Sequence, residues 1–510
     1  MYEPIERTRT RQASLLLSAS SRLRLLESLP GIISWTFLLS PIWLTLINPV
    51  AGTILAALSV AYFVLRTSSF GIGAMFTRRR LLSATRTDWL SRLQAHSGWE
   101  DYRCIFLIRA FREGNLPLLR ETLESIYESN WPKSGGRLHN VEVVFATEIN
   151  DAITPPAVEK LADMFAGRMT VRQIVHPVER WVLPGPSSAM HYAGQVLYED
   201  ARRQGLDPDR IMVIDLDADT LFHAEYLPCL MYHHMTRDRR IHHVYQPVVL
   251  FTNDYWHAPL HSRLSALGTS VLTLGWNTAP EIAFSGAAAT LSLLQTVDFW
   301  PTQSHSQDSG VELRLRMKYG RGFEVTGLPI PVSVYPVMEM GKDDSVVGRL
   351  RAYWTSFRVL FRQSARWREG PLDEFVEAAS QGNLYHTMSK LWRGVERDTL
   401  SPFPALGVIA VQWISQSVYS TSPIESLQTI SSIALTLMSL MGLFVFWQIL
   451  SVSEIVRTPA SPWRRMGDII LFYLVMPVYV PIITALAGLK TSTAYALGKR
   501  PTGHYIPTPK

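Results

Sequence analysis

Between residues 210 and 220 the chain reads R-I-M-V-I-D-L-D-A-D-T. Ile211, Met212, Val213 and Ile214 have the length and branching of a buried strand, and three acids follow at once: Asp215, Asp217 and Asp219. A core strand cannot bury three carboxylates, so they must emerge at its carboxyl end. In an open α/β sheet that end is where ligands bind. Side chains two apart on an extended chain point the same way, so Asp217 and Asp219 can converge on one centre. The chemistry that suits them is a hard divalent cation, Mg²⁺ or Mn²⁺, which takes oxygen ligands and keeps phosphates as partners. Taken alone, a D-x-D is also what a solvated acidic turn looks like.

The segments around these acids must position them. Residues 104–108, 141–146 and 169–175 have strand patterning, and 116–129, 157–165 and 187–203 have helical patterning. Strands alternating with helices argue for a mostly parallel sheet covered on both faces. Residues 298–310 are polar and loop-like, and 311–319 have helical character. No internal repeat or low-complexity tract interrupts the chain.

Apolar segments flank this region. A basic stretch, 1–28, precedes 29–47 and 50–65, which carry no charge and are parted by Asn48-Pro49. Each is close to the span of a bilayer core. The pair is too long for a signal peptide's apolar segment, and no small-residue cleavage site follows. Arginines lie on both outer flanks, at 22, 24, 66 and 78–80, and none in the link, so both flanks are expected in the cytoplasm. A transmembrane hairpin over 29–66 follows. Beyond Pro402, residues 403–419, 427–450 and 469–489 are again span-like. Arg457, Arg464 and Arg465 mark the last loop as cytoplasmic, whereas Lys490, Lys499, Arg500 and Lys510 conflict with a tail placed outside. Five spans are the expectation. Residues 346–361 differ: Val346, Val347, Leu350, Tyr353, Trp354, Phe357, Leu360 and Phe361 recur at helical spacing, with Arg349, Arg351, Arg358 and Arg362 beside them. Such a helix suits the headgroup layer.

Composition agrees with a soluble domain joined to apolar helices. Of 510 residues, 47% are hydrophobic, yet mean hydropathy is only +0.07. The net charge of +6 is better read by position than as a nucleic-acid signal, and no nucleic-acid partner is expected. Two cysteines, Cys104 and Cys229, exclude a disulfide framework and a zinc pattern. His233, His234, His242 and His243 surround a basic run at 237–240 that suits a solvated loop better than a metal site. Trp35, Trp43, Trp413 and Trp447 sit where interfacial belts place them.

An α/β domain with D-A-D at a strand end, framed by membrane helices, resembles the membrane-bound family 2 glycosyltransferases, which include cellulose, hyaluronan and mixed-linkage glucan synthases. The resemblance covers about 100–370. Residues 214–226, I-D-L-D-A-D-T-L-F-H-A-E-Y, look like that family's metal-binding stretch. Residues 306–315, S-Q-D-S-G-V-E-L-R-L, look like its acceptor-base motif, and Gln363-Ser364-Ala365-Arg366-Trp367 matches Q-x-x-R-W in full. The order and spacing of the three together are more specific than any one.

The resemblance implies a cytoplasmic GT-A type domain, Rossmann-like with a mostly parallel sheet, over 100–340 between transmembrane helices. It implies interfacial helices over 341–400, a C-terminal membrane region over 403–489 and a tail over 490–510, too short for an appended cyclic-nucleotide-binding domain. Asp217 and Asp219 would hold the metal against a departing diphosphate, with Asp215 on the nucleotide side. Asp308 stands in the position of the general base; a helix N-cap is its ordinary alternative. Arg366 can grip diphosphate, Trp367 offers a ring face to a sugar, and Gln363 completes the motif. Glu113 and Glu148 are the nearest matches to the family's nucleotide contacts, and Ser285-Gly286 stands in the acceptor-contact place, with serine for the more usual cysteine. A lysine common near the diphosphate is absent from Gly185-Pro186-Ser187-Ser188-Ala189.

The implied activity is inverting, metal-dependent transfer from a nucleotide diphosphate sugar, UDP-linked by expectation, by a processive β-glycan synthase in the plasma (inner) membrane that also exports its product. Its implied partners are the donor, the growing glycan, the lipid bilayer, and accessory subunits or further copies of the chain. Two alternatives stand beside it: single transfer to a lipid-linked acceptor, and a non-catalytic export or scaffold subunit.

Overall fold

The computed structural model describes residues 20–177, 185–238, 241–277, 285–302, 307–337, 345–400, 403–420 and 461–499, with positions 429, 432, 436 and 440. The chain divides into two compact units. One comprises Met1–Val64, Phe361–Leu435 and Pro477–Thr502; the other comprises Leu65–Leu360, Thr436–Met476 and Gly503–Lys510.

Helices α1 (Ser20–Ile47) and α2 (Pro49–Ala84) are separated by a single residue, Asn48. Its Oδ1 accepts from the amides of Val50 and Ala51 at 2.9 and 3.3 Å, and Pro49 takes the first helical position. That combination ends one helix and caps the next. By length and composition, Leu23–Ile47 and Pro49–Ala84 are both long and apolar enough to cross a membrane, with hydropathies of 1.5 and 1.7. Helix α2 runs past the expected end at 65 and carries Arg66 and Arg78–Arg80 on its continuation.

The larger unit is mixed α/β around an eight-stranded sheet. Its elements are β1 (Arg103–Arg109), α3 (Leu116–Tyr127), β2 (Val141–Glu148), α4 (Thr154–Phe165), β3 (Thr170–His176), α5 (Pro186–Arg203) and β4 (Ile211–Asp217). Then come β5 (Leu221–Phe222), α6 (Tyr226–Thr236), β6 (His242–Leu250), α7 (Leu260–Trp276), β7 (Ala287–Thr290), α8 (Gln307–Tyr319) and β8 (Phe323–Ser333). The strand order is β3-β2-β1-β4-β7-β6-β8-β5. Strands β3, β2, β1 and β4 are mutually parallel, as are β6 and β8; β7 runs antiparallel to β4 and β6, and β5 to β8.

Alternation along the central strands divides the core into two layers. Cys104, Phe106 and Ile108 of β1 and Met212, Ile214 and Leu216 of β4 pack with Leu119, Leu123, Val158 and Leu161 of α3 and α4. Ile105, Leu107, Ile211 and Val213 pack on the opposite face with Ala189, Ala193, Val311 and Leu315 of α5 and α8. Each fully buried Leu, Ile or Phe contributes about 1.5–3 kcal/mol relative to exposure, so the phase of each strand is strongly determined.

The parallel half matches the segments expected from the sequence to within a few residues. The strands β6, β7 and β8 were not anticipated. Ala287-Ala288-Ala289 has no strand propensity of its own; it is extended because it bridges β4 and β6, with Asp215 opposite Ala287 and Tyr245 opposite Ala288. Helix α8 begins at Gln307, inside the stretch expected as loop.

After the sheet come α9 (Val346–Ser380), α10 (Leu384–Val395), α11 (Pro404–Tyr419), α12 (Pro462–Val480) and α13 (Ala487–Ala496). On α9, Val347, Leu350, Tyr353 and Trp354 of the expected apolar set are exposed, whereas Phe357 is half-buried and Leu360 is buried. Helix α11 coincides with the expected 403–419 segment. Residues 469–489 form the end of α12, a wider helical turn over Pro481–Leu486 and the start of α13. The expected span at 427–450 lies outside the described residues.

In the helical unit, α10 packs Trp392 edge-on against Phe37 and Tyr62, with ring centroids 6.4 and 5.8 Å apart. Arg368 and Asp398 form a buried ion pair at 2.9 Å, and Ser492 donates to the same Asp398 oxygen at 3.1 Å. Burying two charges is costly unless each is paired and hydrogen-bonded, as here.

Candidate active site

The register of β1 and β4 builds the site. Leu107 pairs with Asp215 and Arg109 with Asp217, all in the phase that faces α5 and α8. At the carboxyl ends of these strands the apolar pattern gives way to charge. The Arg109 Nε donates to Asp217 Oδ1 at 2.9 Å, and its Nη1 donates to Asp308 Oδ1 at 3.0 Å and to Gln307 Oε1. Its Nη2 lies 3.6 Å from Asp215 Oδ1. Asp308 reaches the cluster from the first turn of α8, which Val311 and Leu315 anchor to the same core layer.

The acids are graded by depth. The side chain of Asp215 is 8% exposed, that of Asp308 16% and that of Asp217 44%, while Arg109 is 9% exposed. Trp300 Nε1 donates to Asp215 Oδ2 at 3.1 Å. Burial pushes the Asp215 carboxyl well above the usual carboxylate range; Arg109 opposes this, and Asp308 and Asp217 add to it. Burial alone would lower Arg109, but Asp215, Asp217 and Asp308 hold it firmly charged. One permanent cation thus sits among three acids of unequal accessibility.

Asp219 is placed differently. Strand β4 ends at Asp217, and the Thr220 amide bonds back to Asp217 O at 3.2 Å, so the chain turns before Asp219. Asp219 is buried, and its Oδ2 accepts from the Tyr335 amide at 3.3 Å. The alternation therefore brings together Asp215 and Asp217 instead of Asp217 and Asp219.

Among the described residues no three of His, Cys, Asp and Glu form a protein-only metal cage. The donor chemistry fits a hard cation that completes its shell with phosphate oxygens and water. Asp217 is an accessible carboxylate at the mouth, and Asp215 Oδ1 is a buried oxygen with no hydrogen bond.

Ser285 and Gly286 lie against the acidic strand. Ser285 Oγ accepts from the Asp217 amide at 2.9 Å and sits 2.5 Å from Thr220 Oγ1. The Gly286 amide donates to Asp215 O at 2.7 Å, and its carbonyl accepts from the Tyr226 hydroxyl at 2.7 Å. Its φ of +86°, with Pro247 3.0 Å from a would-be Cβ, requires glycine. Glu148 ends β2 in the same phase but is buried: Oε2 meets His176 Nδ1 at 2.8 Å and Oε1 accepts from the Gly185 amide at 3.1 Å. Its carboxylate thereby braces the start of α5. The Glu113 amide donates to Thr154 Oγ1 at 2.9 Å, in a turn where Arg112 has φ +58° and its amide bonds Asp151 at 2.7 Å. Gln363, Arg366 and Trp367, half-buried, belong to the helical unit, at i, i+3 and i+4 on one face of α9.

Arg109 and Trp300 were not singled out from the sequence. The one available signal was an arginine ending an apolar strand, Arg109 after residues 104–108; Trp300 gave none.

No protein-family model matches the chain, and no curated protein matches it. Among solved structures, the crystal structure of GalNAc-T7 with UDP, GalNAc and Mn²⁺ is similar at 12% sequence identity with a TM-score of 0.29. The match covers 62% of this chain and 58% of that one, less than two thirds of its length.

Proposed function

We propose that this protein is a membrane-embedded inverting glycosyltransferase that uses a nucleotide diphosphate sugar, and that it is a processive synthase of a β-linked polysaccharide. The observation that carries the reading is the pairing of two carboxylates at one guanidinium: Asp217 on the carboxyl end of a parallel strand and Asp308 on the facing helix, 2.9 and 3.0 Å from Arg109. An open α/β sheet binds ligands at this edge. The Q-x-x-R-W sequence on α9, after that helix's own first turns with their exposed apolar residues, favours a polymer over a single transfer.

In this reading Asp308 accepts the proton of the acceptor hydroxyl as its oxygen bonds the anomeric carbon of the donor. The bond from that carbon to the diphosphate breaks on the opposite face, which inverts the centre, and the electron pair leaves with the diphosphate. Asp217, with the buried Asp215 Oδ1 behind it in place of the Asp219 expected from the sequence, would hold a divalent cation, which would supply charge neutralisation to the departing diphosphate. Asp215 stays buried behind Asp217 and orients Arg109. Ser285 holds the Asp217 amide, so the acidic strand presents its end to the acceptor side. On α9, Arg366 would supply a fixed charge for a diphosphate and Trp367 a ring face for a sugar, the roles that the family resemblance implies. Helices α1 and α2 anchor the chain, with the α/β unit in the cytoplasm.

Membranes containing the protein should be supplied with a panel of labelled nucleotide sugars and the products digested with linkage-specific hydrolases. A long, hydrolase-sensitive glycan is expected. A product of one sugar on a lipid would replace the polymer reading with single transfer, and the absence of any transfer from every donor would overturn both.

A further inference from the structure

The cation observed among the site's acids belongs to the protein. Arg109 spans Asp217 and Asp308 with two separate nitrogens and approaches Asp215 with a third. It reaches them because β1 and β4 pair it directly with Asp217. The guanidinium is 9% exposed and sits between the accessible carboxylate and the helix-borne one. The Asp217 oxygen that Arg109 engages is unavailable to another cation while that bond lasts. A second positive centre beside Arg109 would also meet direct repulsion in a poorly solvated place.

We propose that Arg109 is the resident cation of this site, and that a divalent ion gains Asp217 Oδ1 only by displacing the guanidinium from it. The inference rests on the glycosyltransferase reading for its purpose, since it makes metal capture wait for the donor diphosphate. The incoming phosphates supply the negative charge that lets both cations remain, with Arg109 kept on Asp308. Without donor, Arg109 and the ion compete, and the apparent metal affinity falls in proportion to the fraction of sites the guanidinium holds.

The test is Mn²⁺ binding to the purified full-length protein without nucleotide, followed by the electron paramagnetic resonance signal of free Mn²⁺. Arg109→Gln keeps a donor of similar reach and removes the charge; it should tighten Mn²⁺ binding by roughly tenfold or more, within the usual range of site coupling. Arg109→Lys should bind Mn²⁺ as weakly as wild type, and adding Asp217→Asn to Arg109→Gln should abolish the gain. Should Arg109→Gln fail to fold, Asp215→Asn/Arg109→Gln compared with Asp215→Asn restores the charge balance and carries the same comparison. Unchanged or weaker Mn²⁺ binding in a folded Arg109→Gln protein overturns the proposal, as does weakened UDP binding with no change for Mn²⁺, which would make Arg109 a donor ligand only. None of these readouts needs turnover, so a failure of the transferase reading is seen separately, as no product from any nucleotide sugar.

Discussion

Trp300 donates its indole N–H to Asp215 Oδ2 at 3.1 Å, joining a tryptophan just before α8 to the deepest acid of the cluster. Both are buried, and Asp215 in turn stands 3.6 Å from Arg109. Trp300→Phe keeps an aromatic ring, deletes the donor and removes some buried volume, leaving a buried carboxyl oxygen unsatisfied. A loss of about 1–3 kcal/mol is expected, read as a lower unfolding midpoint of the purified protein. An unchanged midpoint would show that this bond contributes no net stability.

Asp217 and Asp308 share Arg109, but their substitutions should separate. Asp308→Asn removes proton acceptance at constant size, so turnover should fall by roughly two orders of magnitude or more while donor binding persists. Asp217→Asn should abolish donor-dependent metal retention and activity together, as reversible EDTA treatment should in wild type. Because Asp308 lies in the first turn of α8, its alternative role is helix stabilisation worth about 0.3–1 kcal/mol. Near-normal turnover with only that stability loss would assign it the helical role.

Glu369, one turn beyond Arg366 on α9, is pushed up to about 7 by burial; Asp373 adds to the rise and Arg366 opposes it. Its ordinary value is 4.5, so between the two values the folded protein keeps a proton that the unfolded chain has released. The contribution to stability is therefore complete below pH 4.5 and is lost as pH rises through about 7. Glu369→Gln should flatten the fall in unfolding midpoint across that window. A wild-type midpoint that rises over the same range would contradict the sign.

Trp367 offers a ring for stacking, one residue after Arg366. A processive enzyme must retain the growing chain while nucleotide leaves and re-enters. Trp367→Ala should shorten the product, seen by size-exclusion, more than it weakens donor affinity measured on the same preparation. Equal losses in both would make the ring a donor contact.

The acids, the parallel strands and the apolar flanks were all legible in the sequence, because each is a local pattern. Residues 211–214 form a strand by branching and apolarity, and the acids must appear where that strand leaves the core. Asn48-Pro49 ends one apolar helix and caps the next through groups within three residues of one another. The antiparallel strands were not legible: Ala287–Thr290 is extended only because β4 and β6 pair with it. Only tertiary structure could decide that Asp219 turns away toward Tyr335 after a local bond closes the turn. It also decided that Glu148 braces the amide of Gly185. The cation among the acids comes from 108 residues upstream of Asp217, placed by strand register. Local preference can state which residues leave a strand end; which charges meet there is settled by pairing between segments far apart in the chain.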